Sequence, residues 1–218
     1  MSTNKFVERS NVGSSYCLRQ FYVINIGMLF DETHQKILEA VTISKTWYHG
    51  TTADFQKFDY QHVYNENSNA QYGPGFYLTD SPEIARGYAN GNGYLLKINL
   101  TRKSRIANQE TKPKKISVEK YIQRMPDKEG VLSNWDESPY RAASLLQQSL
   151  EENNDTLLEM VQSIWSDCYR GHEPYFVRCL VNRSLIDGIL VPQQNGVNFL
   201  IAYNPDVLKI VEVQRIGS

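Results

Sequence analysis

The sequence is short of cysteine, of charge of one sign and of long apolar runs. Only Cys17, Cys168 and Cys179 occur, odd in number, far apart and in no CxxC pair. They read as buried, reduced thiols, and no metal site is expected. Lys and Arg total 23 against 24 Asp and Glu, a formal charge of −1. That balance argues against a protein held on nucleic acid by bulk electrostatics. Two basic stretches, Leu100 to Arg105 and Thr111 to Lys115, read as ordinary solvated face. The apolar run from Phe21 to Phe30 has ten residues and contains Asn25, well below the roughly 20 that a membrane helix needs. No basic start followed by an apolar stretch and a cleavage site opens the chain. No membrane partner is expected, and the expected setting is cytosol, where the protein is made or into which it is delivered.

What is present is a core and a motif. Hydrophobic residues make up 41% of 218, enough for one domain with an elaboration. Phe21 to Phe30 reads as a buried strand, and Asp31 as the cap of a helix reaching Val41. "TWYHG" is a short strand, and Asp54 to Asn69 a long loop. "GFYLTD" is a second strand. Ser81 then caps a helix with Pro82 at its first position and Glu83 in its first turn. "YLLKINL" is a strand, and from Ser117 to about Asn182 apolar residues recur at helical spacing. "DGILV", "NFLIAYNP" and "LKIVEV" return to strand. The pattern is α+β, with a helical block between parts of a sheet.

Two stretches carry chemistry. In the first, His49 is followed by Gly50 at a strand end, which exposes an imidazole and lets a ligand come close to backbone. A histidine packed under a turn explains it as well. In the second, "YGPGFYLTDSPEIARGYA" places Tyr72, Tyr77 and Tyr88 around a glycine-rich turn. Tyr77 and Tyr88 facing each other make a slot for a flat ring, favoured further if the ring is cationic. Two half-buried core tyrosines give the same spelling.

"YHGT", "GPGFYLTDSPEIARGYA", the late Asp187-Gly188-Ile189 and "YNPDVLKI" occur in that order. Together they resemble the ADP-ribosyltransferases of the His-Tyr-Glu type, the fold of diphtheria-toxin-like enzymes and poly(ADP-ribose) polymerases. The similarity is greatest to compact bacterial and phage-borne domains. Tyr88 stands eleven residues after Tyr77, as the second tyrosine does in that family. The resemblance spans about 45–110 and 184–213. It implies a split β-sheet core with the helical block 117–182 inserted, a domain over 43–218 and an N-terminal extension over 1–42. It implies NAD as co-substrate, with nicotinamide between Tyr77 and Tyr88, its carboxamide on the Gly50 backbone and Thr51 beside it. His49 would bond the adenine-side ribose.

The family's third residue, most often Glu, falls by count at Phe199, and Asn198 precedes it. Asn198 is favoured, since an amide bonds a ribose hydroxyl and a bulge in "GVNF" would turn it into the cleft. Asp187, Glu173 and Glu212 are further acids, with Asp187 expected to cap a turn. Gln193 and Gln194 lie where the family meets its acceptor. With no carboxylate at the third position, the implied activity is mono-ADP-ribosylation of a macromolecule, a protein rather than a nucleic acid. The context implied is an effector or toxin acting in its own or a host's cytosol. An inactive binding module and an NAD glycohydrolase are the alternatives.

Overall fold

The structure, a computed structural model, describes residues 44–63, 71–101, 103–112, 148, 152, 155–184 and 186–217. The strand expected at Phe21 to Phe30, the helix after Asp31 and, within the block 117–182, residues 117–154 apart from 148 and 152 lie outside them.

Among the described residues seven strands form one mixed sheet. They are β1 (Thr46–Thr51), β2 (Phe76–Thr79), β3 (Tyr94–Leu100), β4 (Ile106–Asn108), β5 (Gly188–Pro192), β6 (Asn198–Ala202) and β7 (Leu208–Arg215). The spatial order is β4-β5-β6-β2-β1-β3-β7. Only β4 and β5 run parallel, with Ile106 opposite Gly188. A parallel pair needs a long crossover, and the residues between Asn108 and Gly188 supply it. The fold is α+β, as its pattern of elements suggests.

The sheet is joined unevenly. β1 matches β3 over six consecutive pairs, from Thr46↔Asn99 to Thr51↔Tyr94. It meets β2 at one pair only, Tyr48↔Thr79. A half of four strands and a half of three are therefore hinged at that pair, and past Tyr48 the strands β1 and β2 part.

Alternation along the strands divides their side chains between two faces. Trp47, Phe76, Leu78, Leu96, Ile98 and Leu200 share one face and are buried. Tyr48, Gly50, Tyr77, Thr79, Phe199 and Ile201 share the other. On this second face lies helix α1 (Pro82–Tyr88). The Ser81 hydroxyl accepts from the Ile84 N–H, and Pro82 opens the helix where its missing N–H costs nothing. Asn90, at φ 49°, stops it.

Helix α2 (Leu157–Ile164) begins with a reciprocal cap: Thr156 accepts from the Glu159 N–H, and the Glu159 carboxylate accepts from the Thr156 N–H. It buries Leu157, Leu158, Met160, Val161 and Ile164. A π-helical turn, Trp165–Tyr169, then leads toward α3 (Glu173–Ser184). This part of the helical block is core. α3 packs on the short 3-10 turn Tyr60–His62, and the Arg178 guanidinium stands 5.0 Å over the Tyr60 ring.

Candidate active site

The site is built where β1 and β2 separate. A strand that loses its neighbour leaves carbonyls and N–H groups without their usual partners. His49 fills that place: its Nδ1 lies 2.8 Å from the Tyr77 carbonyl oxygen. A carbonyl only accepts, so Nδ1 carries the proton and donates. The ring sits among Phe55 (centroids 6.1 Å apart) and Phe58 (5.5 Å), and Phe58 in turn packs edge-on against Phe76 at 5.0 Å. Burial among these rings pushes the imidazole below its ordinary pKa, and the bond to Tyr77 only partly opposes it. The neutral ring with Nδ1 protonated leaves Nε2 as an acceptor. Among the described residues Nε2 has no hydrogen-bond partner.

Phe55 and Phe58 were not singled out in the sequence, where they fall in a stretch read as loop. The signal was there: aromatics in a segment with little periodicity need a surface to cover.

Tyr77 leaves β2 on the opposite face. Its hydroxyl donates to the Gly73 carbonyl (2.6 Å) and accepts from the Tyr72 N–H (2.9 Å). The chain bends back for this because Gly73 adopts φ +84°, a left-handed conformation that other residues resist. Burial pushes the phenol's pKa well up; the bond from Tyr72 opposes this, and the Tyr72 and Tyr88 hydroxyls add to it. Tyr88, last residue of α1, is 63% exposed. So Tyr77 is a fixed wall and Tyr88 a free one, both on the α1 side of the sheet.

Gly50 has a further reason to be glycine. A Cβ there would overlap the Ala85 carbonyl oxygen of α1. The helix backbone fills the space on that side. The Thr51 hydroxyl oxygen accepts from the Ala53 N–H at 3.1 Å, closing a local turn and leaving its own proton to donate.

The register corrects one expectation at the third position, the bulge that would turn Asn198 into the cleft. No bulge interrupts "GVNF": β6 pairs without a shift from Pro192↔Asn198 to Gly188↔Ala202 and from Thr79↔Phe199 to Phe76↔Ala202. Phe199 therefore shares the face of Tyr77, and Asn198 shares that of His49. The Asn198 amide is held by Asp80, whose carboxylate also accepts from the Asn198 N–H (2.8 Å) and from Lys45 (3.0 Å). Partial burial raises the Asp80 pKa, but these bonds outweigh it and hold the carboxylate below its ordinary range.

The other acids do not converge on the cleft. Asp187 is buried and accepts from the Arg105 N–H, Nε and Nη2 and from Asn204 Nδ2, all at 2.8–2.9 Å. It thus does more than cap a turn, and Arg105 is a structural cation rather than part of a solvated face. Glu173 is buried under the π-helical turn, accepting from Trp165 Nε1 (3.0 Å) and the Gly171 N–H (2.8 Å). Glu212 pairs with Lys97 at 3.6 Å on the exposed β3–β7 edge. In the β5–β6 hairpin, Gln193 reaches Tyr72 while Gln194 is exposed. No group of three or more His, Cys, Asp or Glu among the described residues is placed to hold a metal ion. No helix among them is long and apolar enough to cross a membrane.

Residues 44–212 match the family described as ADP-ribosyltransferase in polyvalent proteins. No curated protein matches this chain. Two solved structures are similar at low identity. One is the crystal structure of an anti-CRISPR protein, 14% identical, TM-score 0.34, over 80% of this chain and 98% of that one. The other is the M. tuberculosis MbcT–MbcA toxin–antitoxin complex, 18% identical, TM-score 0.34, over 86% and 93%.

Proposed function

The chain belongs to the family of ADP-ribosyltransferases found in polyvalent proteins, and on that premise we propose that it transfers one ADP-ribose from NAD to a protein acceptor. The observation that carries the reading is the pair set at the parting of β1 and β2. A neutral His49 offers Nε2 on one side, and the anchored Tyr77 presents its ring with Tyr88 on the other. A ligand that meets both must lie across the gap beside Gly50, which suits an extended dinucleotide.

In this reading nicotinamide stacks on Tyr77 with Tyr88 closing over it, and the carboxamide bonds the Gly50 backbone. His49 Nε2 accepts from a ribose hydroxyl, and Thr51 donates its free proton nearby. The C–N glycosidic bond breaks with its electron pair going to nicotinamide, whose ring becomes neutral. The sugar is left as an oxocarbenium, to which the acceptor adds through a lone pair as it gives up a proton. A neutral ring loses the cation–aromatic attraction, which favours its release. Orientation of the reacting groups supplies much of the rate.

Phe199 on the Tyr77 face leaves that strand position without a carboxylate, which argues for single transfer over polymer growth. The same residue favours a second reading, an inactive module that keeps the pocket for binding. The near-zero net charge favours a protein acceptor over nucleic acid. We also read residues 1–42 as an extension, 43–218 as the domain and 117–182 as its insertion. Asn198 enters as a contact only on the His49 side.

The test is nicotinamide release from NAD, with and without cell lysate, by the wild type and by His49→Ala, Tyr77→Ala and Asn198→Ala. Release that requires lysate and is lost in the first two supports transfer. Release without lysate points to glycohydrolysis. NAD binding with no release leaves the inactive module, and no binding removes the whole reading. Retained activity in Asn198→Ala drops that residue from the site.

A further inference from the structure

We propose that Gln193 and Tyr72 form a positioning pair through which the β5–β6 hairpin fixes the ring of Tyr77. This inference rests on the reading of Tyr77 as a wall of the nicotinamide slot. The Tyr77 hydroxyl is pinned by Gly73 and Tyr72, but a pinned hydroxyl leaves a phenol ring free to tilt about its axis. The tilt is set by the Tyr72 ring, which lies near-parallel at 26° with centroids 6.4 Å apart.

Tyr72 is in turn held from far along the chain. Gln193 Nε2 donates to the Tyr72 hydroxyl oxygen at 3.2 Å, across 121 residues of sequence. The same nitrogen also reaches the Val191 carbonyl at 3.4 Å. A carbonyl only accepts, so this second contact fixes which end of the amide faces Tyr72. The hairpin is a firm base: the Gln193 N–H donates to the Val197 carbonyl (2.8 Å), and the Gly196 N–H donates to the Gln193 carbonyl (3.0 Å). Gln193 and Tyr72 are both half-buried, whereas Tyr88 makes no hydrogen bond among the described residues and is largely exposed. Tyr77 is thus the wall whose orientation the protein controls, and Gln193 is the point of control.

The experiment compares two ligands: carba-NAD, whose glycosidic bond cannot break, and ADP-ribose, which has no nicotinamide. Calorimetric titrations use the full chain as wild type, Tyr72→Phe, Gln193→Ala and the double variant, with thermal unfolding to confirm folding. Tyr72→Phe keeps the ring and removes only the hydroxyl. Each single change is expected to weaken carba-NAD about threefold, and the double no further, because both cut one interaction. ADP-ribose affinity stays within experimental scatter. Equal losses for both ligands, additive losses in the double variant, or no change for carba-NAD would each overturn the pair. A wild type that binds ADP-ribose and carba-NAD equally overturns the slot and this pair with it. A wild type that binds neither overturns the proposed function first.

Discussion

Two polar centres of this molecule, Asp187 and His49, use their hydrogen-bonding groups in opposite ways. Asp187 is 1% exposed, and its two carboxylate oxygens take four donors from Arg105 and Asn204. Nothing is left over for a visitor, and the clamp ties β4 to β5 and to the turn after β6. His49 spends one ring nitrogen on the Tyr77 carbonyl and keeps the other. A saturated centre holds a fold together, whereas a half-spent one held in a gap can meet a ligand. Burial and charge alone point to Asp187; the count of remaining hydrogen-bonding groups is what supports the proposal of His49.

That contrast can be broken most forcefully at Gly50, which places α1 over the site. Gly50→Ala sets a carbon against the Ala85 backbone, which cannot swing aside. A loss of about 3 kcal/mol or more is expected, above ordinary overpacking, read from urea denaturation. Asp187→Ala comes next, at about 3 kcal/mol, since it removes the acceptor of four hydrogen bonds from Arg105 and Asn204. Arg105 retains some solvent contact, so the cost should not exceed that of a fully buried pair. Among molecules that stay folded, affinity for ADP-ribose should be unchanged, and a selective loss of affinity would erase the distinction between clamp and site.

Smaller effects sharpen the comparison. Tyr77→Phe removes one donor and one acceptor from a partly buried turn and should cost about 1–2 kcal/mol, with carba-NAD binding weakened more than ADP-ribose binding. The smallest effect is the pH dependence from His49. Its folded pKa lies below the ordinary 6.5, so the unfolded chain takes up the proton first as pH falls. Stability from this group is present above that value and is lost as pH drops through the folded pKa. The difference in unfolding free energy between wild type and His49→Gln should therefore shrink on acidification. A difference that is flat from neutral pH to pH 5 would mean that the ring is not held neutral.

Much of this was legible in the chain. The order Ser81-Pro82-Glu83 marked the start of α1, and six of the seven strands follow from apolar runs. β4 escaped because Ile106–Asn108 is three residues long and is defined by a partner 82 residues away rather than by its own pattern. Arg105 looked like surface for the same reason. The choice between Asn198 and Phe199 needs a register, and alternation in one strand does not supply it: only pairing with Thr79 and Val191 does. The π-helical turn also has no periodicity of its own to betray it. His49, Tyr77 and Tyr88 stand out in the sequence through local spacing together with the family resemblance, but the Gln193–Tyr72 contact is made only by the folded sheet.

The strand order also has a consequence for how the protein is made. β5 and β6 pair with each other and are inserted between the early strands β4 and β2, while β7 adds to the edge of β3. On the ribosome, β1, β2 and β3 leave the exit tunnel long before the residues that flank them, and β2 waits for β6 with one edge bare. Tyr77 gains its second neighbouring strand only when Asn198–Ala202 has emerged. A nascent chain or a fragment ending before that strand has Tyr72, Tyr77 and Tyr88 without the sheet that fixes Tyr77, so the proposed slot forms only after β6 has been translated.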